Sequence, residues 1–290
     1  TLTLARTLAS PTLVLLAKAM RSERLSELAL HMDPMNLRAI ACLAPDRQLE
    51  IQNFAIAAHL LAAEGERSKD VVATFFSKAH GQLLQDLFGI LASERKQGGT
   101  FVEVGVGSGK HLSNTYLMES ELGWTGVLVE PNRSSHKSIL DCRKAHLETR
   151  AAASSSGQTR KFEEVKGAGE FSRLVGSKGH RLDDFQIERY EVTTATLNDI
   201  FEENGMPHEI DFMSVDTEGS ELDVLKGIDF SRHSFTSLAI EHNYDESKLG
   251  AIRKLLAGHG YRQVFQDISN FDAWFVHSSS PLAQLGKVAR

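Results

Sequence analysis

The chain has little cysteine, no excess of basic residues and no long hydrophobic run, and each shortage excludes a class of protein. Its two cysteines, Cys42 and Cys142, stand far apart among 290 residues, which excludes a disulfide framework and a C-x-x-C site. Acidic residues outnumber basic ones by 38 to 32, so no overall basic field attracts nucleic acid. The most apolar early stretch, residues 13–19, contains Lys18 and is far shorter than a membrane span. We therefore expect a cytoplasmic protein that binds neither nucleic acid nor membrane.

The remaining composition is that of an ordinary globular protein. Hydrophobic residues make up 41% of the chain and charged residues 24%. The 12 histidines show neither an H-x-x-x-H nor an H-x-E spacing, so no zinc site is predicted from them. The length suits one large α/β domain with an appendage.

A glycine-rich turn follows the first strongly apolar run, FVEVGVGSG at residues 101–109. Its glycines stand at alternate positions: Gly105, Gly107 and Gly109. A dinucleotide fingerprint needs its third glycine one position later, at Lys110. A P-loop needs a glycine at Val104, and a Ser or Thr at His111. Both phosphate-binding patterns therefore fail. The remaining pattern, acid-x-G-x-G-x-G with Glu103 as the acid, resembles the first motif of class I S-adenosylmethionine (SAM) methyltransferases.

A second apolar run ends in a single acid, Glu130, 21 residues after Gly109. This pair predicts a nucleoside-binding crevice at the carboxyl ends of the first two strands of an α/β sheet. The glycines allow close approach of the backbone to the ligand. We expect Glu103 to hold the ammonium group of SAM, directly or through water, and Glu130 to accept hydrogen bonds from both ribose hydroxyls. Asn114 is either a local backbone cap or a contact for the cofactor carboxylate or the acceptor.

The chain divides near residue 98. Residues 1–97 carry helix formers and few strand signals, and are expected to form a helical cap or an oligomerisation surface. Residues 98–290 alternate between strand and helix patterns, which predicts an α/β, Rossmann-like, mostly parallel sheet with an edge hairpin. Strands are predicted at 100–104, 126–130, about 147–153, 161–165, 191–194, 210–215, 236–241, 261–266 and 271–277. Helices are predicted at about 110–121, 133–146, 196–204, 220–226 and 245–258. Residues 154–190 are interpreted as a lid or a disordered loop.

Two further groups of polar residues follow predicted strands. Asp216 and Glu218 come directly after the strand at 210–215, where acids can accept a proton, bind sugar hydroxyls or hold a cation. Helix capping explains Ser220 and Glu221 better than it explains these two acids. His242, between an acid and an amide, is either a satisfied polar residue or a base whose ordinary pKa suits proton abstraction.

Two other stretches receive structural interpretations. Gln82, Gln85 and Asp86 share one helical face, which predicts a solvated surface. Residues 271–276 predict a terminal strand with aromatic side chains in the core, although Asp272 and Trp274 could also line the edge of a pocket.

The whole pattern resembles the FkbM-type methyltransferases. Nine segments carry the resemblance in order: QLLQDLF at 82–88, FVEVGVGSG at 101–109, LSNT at 112–115, GWTGVLVEPN at 123–132, TLND at 196–199, IDFMSVDTEGSE at 210–221, LKGIDF at 225–230, EHN at 241–243 and DAWFV at 272–276. The resemblance implies a class I SAM fold and methyl transfer to a hydroxyl on a sugar or a polyketide-like natural product. The glycine turn departs from the family, since many members carry an acid within it.

The catalytic residues expected from these observations are Asp216, Glu218 and His242. Either His242 or Asp216 would take the proton of a small-molecule or glycan acceptor. A divalent cation held by Asp216 with Glu218, Glu241 or His242 is an alternative. Two other functions stay open: a SAM-binding assembly module without catalysis, and an enzyme that uses a nicotinamide nucleotide.

Overall fold

The computed structural model describes residues 66–177, 179, 181–280, 282 and 283, together with residues 53, 56, 57 and 60. Much of the predicted helical region at residues 1–97 lies outside this part of the chain. Its division from the rest of the protein, and its role as a cap or an oligomerisation surface, therefore stay predictions. Within the described residues, no helix combines the length and the hydropathy needed to cross a membrane.

Strands and helices alternate from residue 100 onward. The strands are β1 (Thr100–Val104), β2 (Thr125–Val129), β3 (His146–Glu148), β4 (Ala151–Ala152), β5 (Thr159–Val165), β6 (Arg173–Leu174), β7 (Ile187–Ala195), β8 (Glu209–Val215), β9 (Ser234–Glu241), β10 (Tyr261–Val264) and β11 (Asp272–His277). The helices are α1 (Glu66–Phe75), α2 (Gln85–Ala92), α3 (Tyr116–Leu122), α4 (Arg133–Cys142), α5 (Leu197–Glu203), α6 (Glu221–Lys226) and α7 (Glu246–Ala257).

Seven strands form the main sheet in the order β10-β11-β9-β8-β1-β2-β3. Neighbouring strands from β9 to β3 run parallel, whereas β11 runs antiparallel to both β9 and β10. The predicted α/β sheet with an edge hairpin is confirmed. Because β11 inserts between β9 and β10, the last strand of the chain is not at the edge of the sheet.

A second sheet has four strands in the order β4-β7-β5-β6 and occupies most of residues 151–195. β5 and β7 pair antiparallel over seven residues, from Thr159 opposite Thr193 to Val165 opposite Ile187. Residues 154–190 are therefore not a structureless loop. The backbone groups of the hairpin pair with each other, which is why so long an insertion forms ordered structure.

The two faces of the main sheet bury separate apolar layers. Neighbouring side chains on a strand point to opposite faces, so Phe212 of β8 joins one layer and Met213 joins the other. The first layer also contains Phe88 of α2, which stacks on Trp274 of β11 with ring centroids 4.8 Å apart. The expectation of core aromatics on the terminal strand is thus confirmed.

The predicted solvated face at residues 82–86 is wrong. Asp86 is fully buried and accepts backbone hydrogen bonds from His80, Gly81 and Leu87. Gln85 is also buried, and its Nε2 donates to Asp272 Oδ2 at 2.8 Å. Because α2 packs against the sheet, these polar side chains cap the preceding loop and join it to β11 instead of facing water.

Helix α2 approaches the sheet so closely that only glycine fits at position 89. A Cβ there would lie 2.4 Å from Met118 Cε and 2.8 Å from Phe212 Cδ2. We expect Gly89→Ala to lower the free energy of unfolding by about 1–3 kcal/mol, because the extra methyl group overpacks the core. The matched control is Gly250→Ala in α7, where a Cβ meets nothing within 4 Å. There alanine should stabilise by about 0.5–1 kcal/mol. Urea unfolding checks both, and equal effects would contradict the described packing of α2.

Candidate active site

A cavity of about 830 Å³ opens at the carboxyl ends of β1, β2, β8 and β9. The glycine turn after β1 forms its floor, and residues of the second sheet, including Phe162, Val165 and Leu174, form the opposite wall. The sequence analysis places the crevice at the first two strands, and the cavity does lie there. It also extends further, to the ends of β8 and β9.

The turn after β1 and the end of β8 meet at Gly105. Its φ of 86° lies in the region that favours glycine, and a Cβ would lie 1.6 Å from the carbonyl oxygen of Asp216. The backbone N–H of Asp216 donates to Val104 O at 2.9 Å. Glycine is therefore required here to bring the first motif and the acidic motif into one cavity.

Glu130 lines the cavity and is tied to the glycine turn. Its Oε2 accepts hydrogen bonds from the backbone N–H groups of Val106 and Gly107 at 3.0 and 2.9 Å, and its Oε1 accepts one from Asn132 at 2.8 Å. Burial raises the pKa of this carboxyl to about 7, against the lowering effect of those three N–H groups. A carboxylate accepts about four hydrogen bonds, so about one acceptor position remains for a ribose hydroxyl. The predicted pair of ribose contacts is more than this arrangement offers.

Glu103 lies beneath the turn, outside the cavity lining. Its two oxygens accept hydrogen bonds from Ser113 Oγ, Asn114 N and Thr115 Oγ1 at 2.6–2.9 Å. Arg143, whose side chain is also buried, contacts Glu103 Oε2 at 3.3 Å. The expected contact with the cofactor ammonium does not fit this geometry, because the charge and the acceptor positions of Glu103 are already used within the protein.

These bonds also explain why the predicted helix at 110–121 starts only at Tyr116. Glu103 holds residues 113–115 in a loop, and Arg143 bonds the same loop through Gly109 O, Ser113 Oγ and Thr115 Oγ1. The sequence analysis missed Arg143, since a single arginine at the end of a predicted helix carries no motif. Its role depends on a partner that lies 40 positions away in the chain.

Asn114 is presented to the cavity by this loop. Its Nδ2 donates to Ser214 Oγ at 2.8 Å, while its buried Oδ1 has no hydrogen-bond partner among the described residues. The prediction for Asn114 left open a local cap, a contact to the cofactor and a contact to the acceptor. Its unpaired oxygen is suited to a ligand that donates, such as an ammonium group.

Two carboxyls, one half-buried and one buried, meet where β8 and β9 end. Asp216 and Glu241 both line the cavity, and their side-chain oxygens lie within 4.8 Å of each other. Burial raises the pKa of each well above its ordinary value, and mutual repulsion of the acids adds to this effect. Two carboxyls this close cannot both be ionised cheaply, so the pair holds its protons to higher pH than ordinary carboxyls do. Glu218 also lines the cavity, on backbone with a φ of 55°.

The acids Asp216, Glu221 and Glu241 offer oxygens that all lie within 4.8 Å of one another, which is a candidate cation site. Glu221 is not available, however. It pairs with Lys248 Nζ at 2.6 Å and accepts backbone bonds from Thr217 and Gly219. Asp216 and Glu241 remain, and Glu218 lines the same cavity. Because one or two carboxylates with waters are enough to hold a small hard cation such as Mg²⁺, a divalent cation at this position stays a prediction.

His242 is buried behind the cavity, and both of its ring nitrogens are used. Nδ1 accepts a hydrogen bond from the backbone N–H of Tyr244 at 3.1 Å, and Nε2 lies 3.2 Å from Asp272 O, to which it donates. Burial lowers the pKa of the imidazole, so the ring is neutral near pH 7. The predicted role as the base does not fit, because neither nitrogen faces the acceptor.

His242 instead secures a strained turn. Asn243 and Tyr244 both have positive φ, 50° and 58°, and both line the cavity with Phe271. Asn243 Nδ2 is buried and has no partner within the described part of the chain. The sequence analysis missed Tyr244 and Phe271 as cavity residues. Only the register of β9 with β11 brings them together, with ring centroids 6.3 Å apart.

The family model of the methyltransferase FkbM domain matches residues 103–263. The chain belongs to this family. The resemblance found in the sequence is thereby confirmed, and methyltransferase families of this kind generally use SAM. The match begins at the acid before the glycine turn and extends past β9, so it includes Glu130, Asp216 and Glu241.

Three solved methyltransferase structures are similar to this chain. A precorrin-6y C5,15-methyltransferase from Geobacter metallireducens is 12% identical with a TM-score of 0.35, and the match covers 66% of this chain and 85% of the other. A human methyltransferase 10 domain containing protein is 12% identical with a TM-score of 0.32, covering 84% and 96%. The CurJ carbon methyltransferase is 10% identical with a TM-score of 0.35, covering 92% and 80%. No curated protein matches the chain.

The structural role of His242 predicts a specific pattern of mutant effects. His242→Asn keeps an oxygen that can accept from the Tyr244 N–H, so methyl transfer should stay within about threefold of the wild-type rate. His242→Leu leaves that N–H unpaired and should destabilise the protein by about 1–3 kcal/mol. Methyl transfer from radiolabelled SAM and thermal unfolding measure the two effects. If His242 were the general base, both variants would lose about 10²–10⁴ in rate.

Proposed function

We propose that this FkbM domain is a SAM-dependent O-methyltransferase that acts on a hydroxyl of a sugar or a polyketide-like natural product. One observation carries the proposal: the Asp216–Glu241 pair lies in the same cavity as the glycine turn and Glu130. A hydroxyl must lose its proton as it is methylated, and the cavity contains a group that can take it.

The residues around the glycine turn fit SAM. Gly105 and Gly107 allow close approach of the ligand to the backbone, and Glu130 keeps an acceptor position for a ribose hydroxyl. Asn114 Oδ1 is free to accept from the ammonium group, the role that the sequence analysis gave to Glu103. When bound, SAM supplies a methyl group on a positively charged sulfur, ready for attack by a nucleophile.

The Asp216–Glu241 pair is the proposed base. Once ionised, the pair can accept the proton of the acceptor hydroxyl, and its raised pKa values make it a stronger base than an ordinary carboxylate. The acceptor oxygen would bond to the methyl carbon as the methyl–sulfur bond breaks, the proton would move to the carboxylate, and S-adenosylhomocysteine would leave. Glu218 lies beside the pair and lines the same part of the cavity, where it can accept a hydrogen bond from the acceptor.

The second sheet and the turn that follows β5 cover one side of the cavity with apolar side chains: Phe162, Val165, Phe171 and Leu174. Much of the acceleration should come from holding the two reactants in line in this partly covered cavity. We further propose that the β5–β7 hairpin opens to admit the acceptor, as the lid interpretation predicts.

Product analysis tests the function directly. The full chain is incubated with methyl-labelled SAM and a panel of methyl glycosides and hydroxylated macrolides, and products are identified by mass spectrometry and NMR. We expect a methoxy group on an acceptor oxygen. Methylation on carbon or nitrogen would contradict O-transfer, and SAM binding without transfer to any acceptor would favour a non-catalytic assembly module.

Asp216→Asn should lower the rate of methyl transfer by about 10²–10⁴ while leaving SAM affinity nearly unchanged, because it removes the base but no cofactor contact. Glu241→Gln should also lower the rate of methyl transfer, but by a smaller factor. The matched control is Asp223→Asn on α6, whose carboxylate bonds Ser154 and Arg160 outside the cavity. Single-turnover kinetics and calorimetry measure rate and affinity. Wild-type rates in both Asp216→Asn and Glu241→Gln would rule out the pair as the base.

The rate of methyl transfer should rise with pH, because only the ionised pair can accept a proton. The rising limb should lie above the range of ordinary carboxyls, since burial and repulsion raise both pKa values. Asp216→Asn removes one source of repulsion and should therefore lower the pKa of Glu241. The residual activity of that variant should then rise at lower pH than the wild type. A pH–rate profile checks this, and a shift to higher pH would contradict the coupling.

A further inference from the structure

The end of β9 and the turn that follows it present two polar atoms without partners to the cavity. Glu241 Oε2 and Asn243 Nδ2 are both buried, and neither forms a hydrogen bond with any of the described residues. Both side chains line the cavity, and Glu241 is 4% exposed. A buried polar atom left unpaired is costly, so in a native structure it indicates a missing partner. A group that both donates and accepts hydrogen bonds would satisfy the two atoms together.

The same turn carries an aromatic surface. Tyr244 lines the cavity although it is 66% exposed. Phe271, which also lines the cavity, meets it edge-on, with ring centroids 6.3 Å apart and ring planes at 79°. An exposed ring in the wall of a cavity offers an apolar face to a ligand. The turn therefore combines an apolar face with an unpaired donor and an unpaired acceptor.

This turn is fixed before any ligand arrives. The backbone N–H groups of His242 and Asn243 both donate to Phe271 O, at 2.8 and 3.1 Å. The His242 ring holds the N–H of Tyr244, and the side chain of Asp245 caps α7 directly afterwards. These bonds hold the positive φ angles of Asn243 and Tyr244 in place. Because the turn is already ordered, little free energy is lost in ordering it when a ligand binds.

A sugar ring has the chemistry that these features require. Its C–H groups form an apolar face that can stack on an aromatic ring, and its rim carries hydroxyls on neighbouring carbons. Each hydroxyl both donates and accepts, so one hydroxyl can accept from Asn243 Nδ2 and donate to Glu241 Oε2. An apolar polyketide-like acceptor with isolated hydroxyls would instead bury these two atoms unpaired.

We propose that the turn at residues 242–245 is the acceptor subsite, and that the acceptor is a sugar ring with two neighbouring hydroxyls. The ring stacks on Tyr244. One hydroxyl faces Asp216 and is methylated, while its neighbour bonds Asn243 and Glu241. This inference rests on the proposed O-methyl transfer and narrows its acceptors to sugars with a free neighbouring hydroxyl. Asn243 and Tyr244 then determine specificity.

Acceptor preference tests the substrate class. Rates of methyl transfer by the full chain are measured for methyl hexopyranosides, for hydroxylated macrolides that carry no sugar, and for the deoxy analogue of the best hexopyranoside, which lacks the hydroxyl next to the methylated one. We expect a monomethylated sugar. The deoxy analogue should have a kcat/KM at least about 100-fold lower, because it leaves polar atoms of the site unpaired.

Equal kcat/KM for the deoxy analogue would overturn the inference, as would a preference for macrolides, and O-methyl transfer would stand in both cases. If no acceptor gains a methoxy group, the proposed function fails, and this inference fails with it.

Asn243→Gly removes the donor and suits the backbone, since glycine favours the φ of 50° at this position. The preference for the hydroxylated sugar over its deoxy analogue should fall at least about tenfold, because Nδ2 is no longer left unpaired. The matched control is Asn270→Gly, at a φ of 52°, whose side chain bonds Ile268 O and does not line the cavity. It should leave the preference unchanged. An unchanged preference in Asn243→Gly would contradict the subsite.

Tyr244→Leu should raise the KM for the sugar about 3- to 10-fold and leave kcat within about threefold, because it removes the stacking face. Tyr244→Phe keeps the ring and should behave like the wild type. The dissociation constant of SAM, measured by calorimetry, should not change in either variant. Thermal unfolding identifies any variant that fails to fold, and the Tyr244 pair keeps the test valid if Asn243→Gly fails. Equal KM values for the Leu and Phe variants would overturn the stacking role.

Discussion

The convergence of three strand ends at Gly105 is the constraint on which the active site depends. The N–H of Gly105 donates to Val129 O at the end of β2, and its Cα leaves no room for a side chain beside the Asp216 carbonyl at the end of β8. Any larger residue would separate the glycine turn from the acidic motif. The cofactor side and the acceptor side of the cavity therefore share one backbone contact, and both depend on the absence of a Cβ.

Around that contact, the structure distributes buried acids by what surrounds them. Glu103 receives an arginine and three hydrogen-bond donors, so it holds a loop in place. Glu130 receives three backbone N–H groups and keeps about one acceptor position for a ligand. Asp216 and Glu241 lie together among further acids, and burial, with repulsion from these acids, raises the pKa of both. The same carboxyl group thus serves as a structural anchor in Glu103, as a ligand contact in Glu130 and as the proposed base in the Asp216–Glu241 pair.

Much of the fold was predictable from local pattern. The predicted strand at 210–215 corresponds to β8 at Glu209–Val215, and the helix at 245–258 corresponds to α7 at Glu246–Ala257. Such elements can be predicted from the sequence because apolar runs and turn residues are local signals. The errors arose where distant residues decide. The helix expected at 110 starts at Tyr116 because Glu103 and Arg143 hold the loop, and Gln85 is buried because α2 packs on the sheet.

The sequence by itself determined which acids and glycines stand at the ends of strands, because strand and turn signals lie within a few residues of each other. It also determined the family, through the order of motifs from 82 to 276. Only the tertiary structure decided what each acid does. His242 and Glu103 are close in sequence to cavity residues, yet their hydrogen-bond partners, Asp272 and Arg143, come from distant parts of the chain. The charge of a side chain, and the hydrogen-bonding positions that it keeps for a ligand, depend on such partners. No local pattern in the chain specifies these partners.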